Sequence, residues 1–596
     1  MIKGLESAQI ARILQGAVEN LVGGIRQRLA AGSSFLFVRF SRNVSKGPIL
    51  TRFQCRSLLL AAVCACTLLA VVGQFPALCS ATIFDDIGYT SLKTELGASM
   101  PTGAGIGVSQ VEVGMNAYVP DTALTSEFGG KTFALKSGAS IPSSHATTVA
   151  ADFYGNQSGI ASGITSVNLW YSDHWLSNGL LRAGTTGTPL AETKKVINAS
   201  FVYSTTGYTA TDIDALRRLD YVINKNKVVA VVAANNGSTT TLPNLLMQGY
   251  NSISVGLTSG RHSAGYTSID GAGRVKPDIV VPATATSWAT PVVSGTAALL
   301  LQQATTSGMT DALNPEVIKS ILMGGATTTQ LPGWSRTPTQ PLDLVYGAGQ
   351  LSVDRSYHIL TAGEQHASSS SAVPARGWDY ATTLAAGNNV YFIDVPANTA
   401  LSEFSALLTW NRVITDVDPT PAFNAQPSLA NLNLKLYTAD GFTIGSLIDS
   451  STSTVDNVQR VSFSSATNSL KAGRYALEVS SASPNTSYGL AWTNTSFFVG
   501  DLNGDSVVNN FDIDLFQVLL FNATSFHQQH PEITNYMARG DINLDGRIDN
   551  FDLTPFADLL SNSSSAPVPE PSTFALLLLG ALGVRCGRLR RFRATI

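Results

Sequence analysis

The run Val228-Val-Ala-Val-Val-Ala-Ala234 carries no polar side chain and breaks into Asn235-Asn236-Gly237-Ser238. A strand with one wet face alternates polar and apolar residues. A run that is apolar at every position suits a strand covered on both faces. Ile253 to Leu257 is a second short run of this kind. Ahead of them, Thr211 caps an expected helix with Leu216, Leu219 and Ile223 on one face. Such alternation through residues 100–355 predicts a parallel sheet with helices on both sides. Disulfides cannot pin that body. The five cysteines, Cys55, Cys64, Cys66, Cys79 and Cys586, all fall outside residues 82–585. A thiol mechanism is excluded for those residues for the same reason.

At 596 residues the chain has room for several domains. Charged residues are 13% of it and the net charge is −3, which argues against nucleic acid as a partner. Arg56 and the apolar stretch Ser57 to Gly73, with small residues Cys79 and Ala81 beyond, read as a secretory signal cleaved after Ala81. Residues 1–81 are therefore leader and signal peptide. Ala367 to Ala372, all Ser and Ala, is an expected linker. From 376 to 494 the pattern changes to short strands (Val390–Val395, Ser405–Trp410, Leu432–Tyr437, Tyr475–Val479) between Gly, Asn and Ser turns. That predicts an all-β sandwich, either a binding module or a stabilising spacer.

Residues 285–295, Ala-Thr-Ser-Trp-Ala-Thr-Pro-Val-Val-Ser-Gly, precede an apolar helical run. They place Ser287 at a helix N-terminus, where free N–H groups face developing negative charge. Pro291 is expected in the first turn, where a missing N–H costs nothing. The segment resembles the nucleophile motif Gly-Thr-Ser-x-Ala-Thr-Pro of the subtilisin-like serine peptidases (subtilases), with Ala285 in place of the glycine. His145-Ala-Thr-Thr-Val-Ala150 resembles that family's His-Gly-Thr-x-Val-Ala, and Gly105 to Gly114 resembles its acid-bearing strand. The order acid, His, Ser is the subtilase order. The resemblance implies Ser287 as nucleophile, His145 as general base and Glu112 as the orienting acid. It also implies Asn236 as oxyanion donor, with Asn235 one residue out of register. Glu112 departs from the family's Asp. Its extra methylene requires either a shifted backbone or a weakened triad, and Asp121 is a possible substitute acid. Asp152 lies about two helical turns from His145, too far to serve. Taken singly, Ser287 reads as a helix cap, His145 as a surface residue and Asn236 as a turn residue. His174 and His262 match no motif and read as surface or structural. No cofactor is implied for catalysis. The alternative to an endopeptidase is an inactive subtilase-fold binding or scaffold protein.

Residues 501–512 and 541–552 repeat forty residues apart. Oxygen-bearing side chains at positions 1, 3, 5, 9 and 12 suit a hard cation. They are Asp501, Asn503, Asp505, Asn509 and Asp512, then Asp541, Asn543, Asp545, Asp549 and Asp552. Position 7, Val507 or Arg547, would lend its carbonyl. The duplication resembles a type I dockerin over residues 499–562, which implies Ca²⁺ and a cohesin-like partner. Pro569-Glu570-Pro571, the apolar Phe574–Val584 and the arginines from Arg585 to Arg593 resemble a PEP-CTERM sorting signal over 567–593. It implies an exosortase-type enzyme, a transient membrane anchor and export to the cell surface. The expected architecture is multidomain: a subtilisin-like α/β domain, an all-β sandwich, and a small helical dockerin with paired calcium loops.

Overall fold

The computed structural model describes residues 83–563, apart from 205–206, 385–386, 418–421, 465–469, 532 and 534. The signal peptide, its cleavage site, the cysteines and the sorting tail lie outside the described residues.

Seven strands form one parallel sheet: β1 Val108–Glu112, β2 Thr132–Leu135, β3 Ser166–Tyr171, β4 Val196–Ala199, β5 Val229–Ala233, β6 Ile253–Leu257 and β7 Ile279–Val281. Their spatial order is β2-β3-β1-β4-β5-β6-β7. The interior strand β5 is buried at all five positions. Val229 and Val231 enter one hydrophobic core, while Ala230 and Val232 enter the other. Period-two alternation with both faces covered explains the unbroken apolar run. Helices α1 Ser144–Tyr154 and α3 Thr286–Thr306 pack in the first core, and α2 Ala210–Asn226 packs in the second. The order of strands reverses between β1 and β4. Side chains at their carboxyl ends therefore face a crevice, the usual place for a site in such sheets.

Two local expectations are corrected. The cap of α2 is Thr209, not Thr211: its hydroxyl accepts from the Asp212 N–H, and Asp212 accepts from the Thr209 N–H. The reciprocal pair outcompetes a lone hydroxyl two residues on. Helix α3 begins at Thr286, so Pro291 lies inside it and not in its first turn.

The β-rich region is a sandwich. One sheet holds β8 Ala372–Val373, β10 Asn389–Val395, β12 Leu432–Asp440, β13 Thr443–Ser451 and β15 Gly473–Ser481. The other holds β9 Gly377–Thr382, β11 Thr399–Thr409, β14 Val458–Ser464 and β16 Ser487–Phe498. Four residues of the second sheet, Trp378, Leu407, Val458 and Ala491, join the core of the α/β body. Arg412 beyond β11 pairs with Asp220 of α2 and with Asp270. The sandwich is thus packed onto the α/β body. The expected linker is held down as well: the Ser368 N–H donates to the Val390 carbonyl at 3.0 Å, and Ala372 pairs in the sheet. Past β16, each repeat is a loop followed by a helix, α6 Ile513–Phe521 and α7 Leu553–Ser563. Phe516 and Phe556 meet at 4.5 Å in a core shared with Phe497 and Val499.

Candidate active site

Glu112 is the last residue of β1, at the crevice, and is 1% exposed. His145 is the second residue of α1, whose cap is Ser143. The Glu112 Oε2–His145 Nδ1 distance is 2.7 Å. The longer acid is accommodated without losing the contact. The other carboxylate oxygen, Oε1, accepts from Gln110 Nε2 at 2.9 Å. The same amide donates to the Ala146 carbonyl, and Gln110 Oε1 accepts from the buried Tyr154 hydroxyl at 2.5 Å. Gln110 therefore fixes the acid and ties it to the helix that carries His145. The hydrogen bond to Glu112 is the main cause holding the His145 imidazole above its ordinary value, and burial opposes it. Asp121 does not take part; its carboxylate accepts from the Ala123 N–H.

Ser287 is the second residue of α3, so its N–H has no carbonyl one turn back. Pro291, four residues on, has no N–H to give the Ser287 carbonyl. The Ser200 hydroxyl donates to that carbonyl instead, at 3.1 Å. Ser200 Oγ accepts from Asn198 Nδ2, and Asn198 Oδ1 accepts from the Ser294 hydroxyl. The end of β4 thus holds the first turns of α3. No motif pointed to Gln110, Ser200 or Asn198; their roles arise from three-dimensional neighbours. Ala285 is extended (φ −147°, ψ 151°), a conformation open to any residue, so the missing glycine costs nothing here.

The Ser287 hydroxyl points to the Ser200 carbonyl at 3.5 Å, and no hydrogen bond among the described residues joins it to His145. Trp288 lies between α3 and the base, its ring 5.2 Å from the imidazole at 38°. It also lines an apolar cleft of about 630 Å³ with Ile83, Phe84, Thr148, Asp152 and Val292. Burial, aided by Glu127, lifts the Asp152 carboxyl to about 6. Asn236 Oδ1 accepts from the Thr286 N–H at 2.9 Å and from the Thr286 hydroxyl at 3.2 Å. Because an N–H needs an acceptor, this contact sets which amide atom is oxygen and leaves Nδ2 free to donate. Asn235 is not the residue at the helix; its backbone pairs with Ser263. Gly295 of α3 lies against the segment that follows α1: a Cβ there would stand 1.8 Å from Ile160 Cγ2 and 3.5 Å from the Phe153 carbonyl of α1.

His262 is buried and structural, the second of the two readings open to it. Its Nδ1 accepts from the Leu257 N–H and its Nε2 donates to the Val345 carbonyl, which sets the tautomer. His174 Nδ1 meets the Ser137 hydroxyl.

The repeat loops are built alike. Asp512 and Asp552 each accept three backbone N–H groups, from matching positions. Burial raises the carboxyls of Asp512 and Asp541, with nearby acids adding to it. Loop one differs in that Arg539 pairs with Asp501 at 2.7 Å. Neither loop gathers three His, Cys, Asp or Glu side chains within mutual ligand reach. The one such group among the described residues is Glu364, His366 and Asp379. No described helix is long and apolar enough to cross a membrane.

Residues 137–349 match the Subtilase family, Peptidase_S8. The match spans His145, Asn236 and Ser287 and begins after Glu112. Residues 567–591 match the PEP-CTERM protein-sorting motif. No curated protein matches the chain. Several solved structures are similar to it. The patellamide maturation protease PatA is 20% identical, with 44% of this chain and 98% of that one covered and a TM-score of 0.32. The epidermin leader peptide processing serine protease of Staphylococcus aureus is 16% identical, with 48% and 82% covered and a TM-score of 0.33. Fervidolysin from Fervidobacterium pennivorans, a keratinolytic enzyme, is 13% identical, with 69% and 79% covered and a TM-score of 0.30. The chain carries a subtilase domain and a C-terminal sorting motif, which together support an exported subtilisin-like serine peptidase.

Proposed function

We propose that the chain is a surface-sorted endopeptidase with a Ser287–His145–Glu112 triad. Glu112 accepts a hydrogen bond from the Nδ1–H of His145, which leaves Nε2 as the base. Nε2 takes the Ser287 proton as Oγ attacks the peptide carbonyl. The resulting oxyanion is stabilised by Asn236 Nδ2 and the Ser287 N–H. His145 then returns the proton to the leaving amine. In the resting arrangement Ser287 Oγ faces Ser200, so a rotation about χ1 precedes attack; apo geometry is commonly looser than the working complex. The 2.7 Å contact between Glu112 and His145 carries this reading. Hydrolysis of an unfolded protein by the full chain tests it. Activity should vanish in Ser287→Ala; turnover surviving that change would sink it.

The Ser287 hydroxyl, turned to the Ser200 carbonyl and away from a bond with His145, favours a second reading, a subtilase-fold binding protein without turnover. It is the outcome if the folded chain cleaves no substrate. For residues 499–562 we propose a dockerin-like module that binds Ca²⁺ through the twelve residues named in the sequence analysis. The duplicated oxygen side chains and the matching amide networks support it. Bound Ca²⁺ would neutralise the crowded carboxylates and order the loops for a cohesin-like partner. The sorting motif implies recognition by an exosortase-type enzyme.

A further inference from the structure

After helix α5, Val353–Thr361, the chain runs beside β9. Glu364 bridges to Trp378, and the Gln365 N–H donates to the Trp378 carbonyl at 2.7 Å. On an extended segment, residues two apart project to the same side. Glu364 and His366 thus flank Asp379, the residue after Trp378. One ligand atom from each lies within 4.8 Å of the others. His366 Nδ1 and Asp379 Oδ1 are 3.2 Å apart. Two ligands on a tetrahedral zinc ion with bonds of about 2.0–2.1 Å stand roughly 3.3 Å apart, so this spacing needs little change.

The surroundings fit a bound cation. Asp379 is 1% exposed and accepts from the Tyr391 hydroxyl at 2.7 Å through Oδ2, which directs Oδ1 toward His366. Tyr391 in turn meets the Tyr488 hydroxyl at 2.8 Å. Glu364 Oε1 accepts from the Tyr380 N–H, leaving Oε2 for a ligand role. Such outer partners orient metal ligands. Among the described residues no Lys or Arg forms an ion pair with Glu364 or Asp379. Burial holds both carboxyls up, and Asp311 and Asp379 add to the negative field at Glu364. His366 is 76% exposed at its side chain, which leaves an open approach from water.

We propose that Glu364, His366 and Asp379 bind a divalent transition metal, with Zn²⁺ the best match to one imidazole and two carboxylates. Ca²⁺ is disfavoured by the nitrogen ligand. The ion would pin the segment leaving the subtilase domain to the first long strand of the sandwich, beside Trp378, whose indole N–H donates to the Leu360 carbonyl. Its role is structural, since the site belongs to a different element from the catalytic crevice.

The test is a Zn²⁺ titration of the metal-stripped full chain by calorimetry, with Ca²⁺ saturating so that the repeat loops are not counted. A Co²⁺ titration read by visible absorption runs in parallel. One Zn²⁺ equivalent is expected. Affinity should fall roughly tenfold or more in His366→Ala and in Glu364→Gln. Because the His366 side chain is exposed, its removal leaves the packed core intact, and circular dichroism checks the fold. No Zn²⁺ binding by the wild type overturns the proposal, as does binding unchanged in His366→Ala.

Discussion

The crevice beside β1 and the C-terminal repeat loops both hold buried carboxyl groups, but they hold them differently. Glu112 stands at the end of a fully buried strand and is gripped by Gln110, which is gripped by Tyr154. Its position is set by the long-range packing of a seven-stranded sheet. Asp512, Asp541 and Asp552 are instead held by N–H groups within their own loops, and Asp501 by such groups together with Arg539. The hold on Glu112 is made entirely by the protein's own groups. The loops leave acids crowded and raised, a state that a cation would relieve.

Four changes would break or sharpen that contrast. The largest effect is expected at Glu112. Glu112→Ala should lower turnover by about four orders of magnitude while leaving the fold intact, as measured by peptide hydrolysis and circular dichroism. Next is Asn236→Ala, which removes an oxyanion donor. It should cost about a hundred- to a thousandfold in kcat with little change in KM. Third is Gln110→Leu, which keeps the bulk but frees the acid. A loss of roughly tenfold in kcat is expected, and the Glu112→Ala, Gln110→Leu pair should be far from additive. The smallest effect on catalysis should come from Ca²⁺ removal. Chelation should lower the melting temperature of the repeat unit and leave peptide hydrolysis unchanged. An equal loss of activity on chelation would mean that the two regions are not independent.

Much of the crevice was legible in the sequence because its parts are local. A serine opening an apolar helix, a histidine opening another and asparagines ending a buried strand each carry their own signal. The structure sets Glu112 against His145 and Asn236 against Thr286. What was not legible depends on contacts between distant segments. Ser200 reaches the Ser287 carbonyl across 87 positions, and Gln110 reaches Ala146 across 36. Pro291 was misplaced because a proline signals a helix start more often than an interior position. Here its lost hydrogen bond is made good by Ser200. The Ser-rich stretch 367–372 reads as a tether by composition, yet the sandwich edge takes up its backbone.

The central claim is that Glu112 acts as the acid of a working triad. The most direct measurement is the rate of fluorophosphonate labelling of the full chain against pH, with Glu112→Gln beside it. A base must be neutral to act, and Glu112 raises the pKa of His145. The wild type should therefore label through Ser287 with an acid limb above the ordinary imidazole value of about 6.5. Glu112→Gln removes the charge, so its limb should move to lower pH while its plateau falls by about four orders of magnitude. Equal labelling rates in the two proteins, with the same acid limb, would contradict the account.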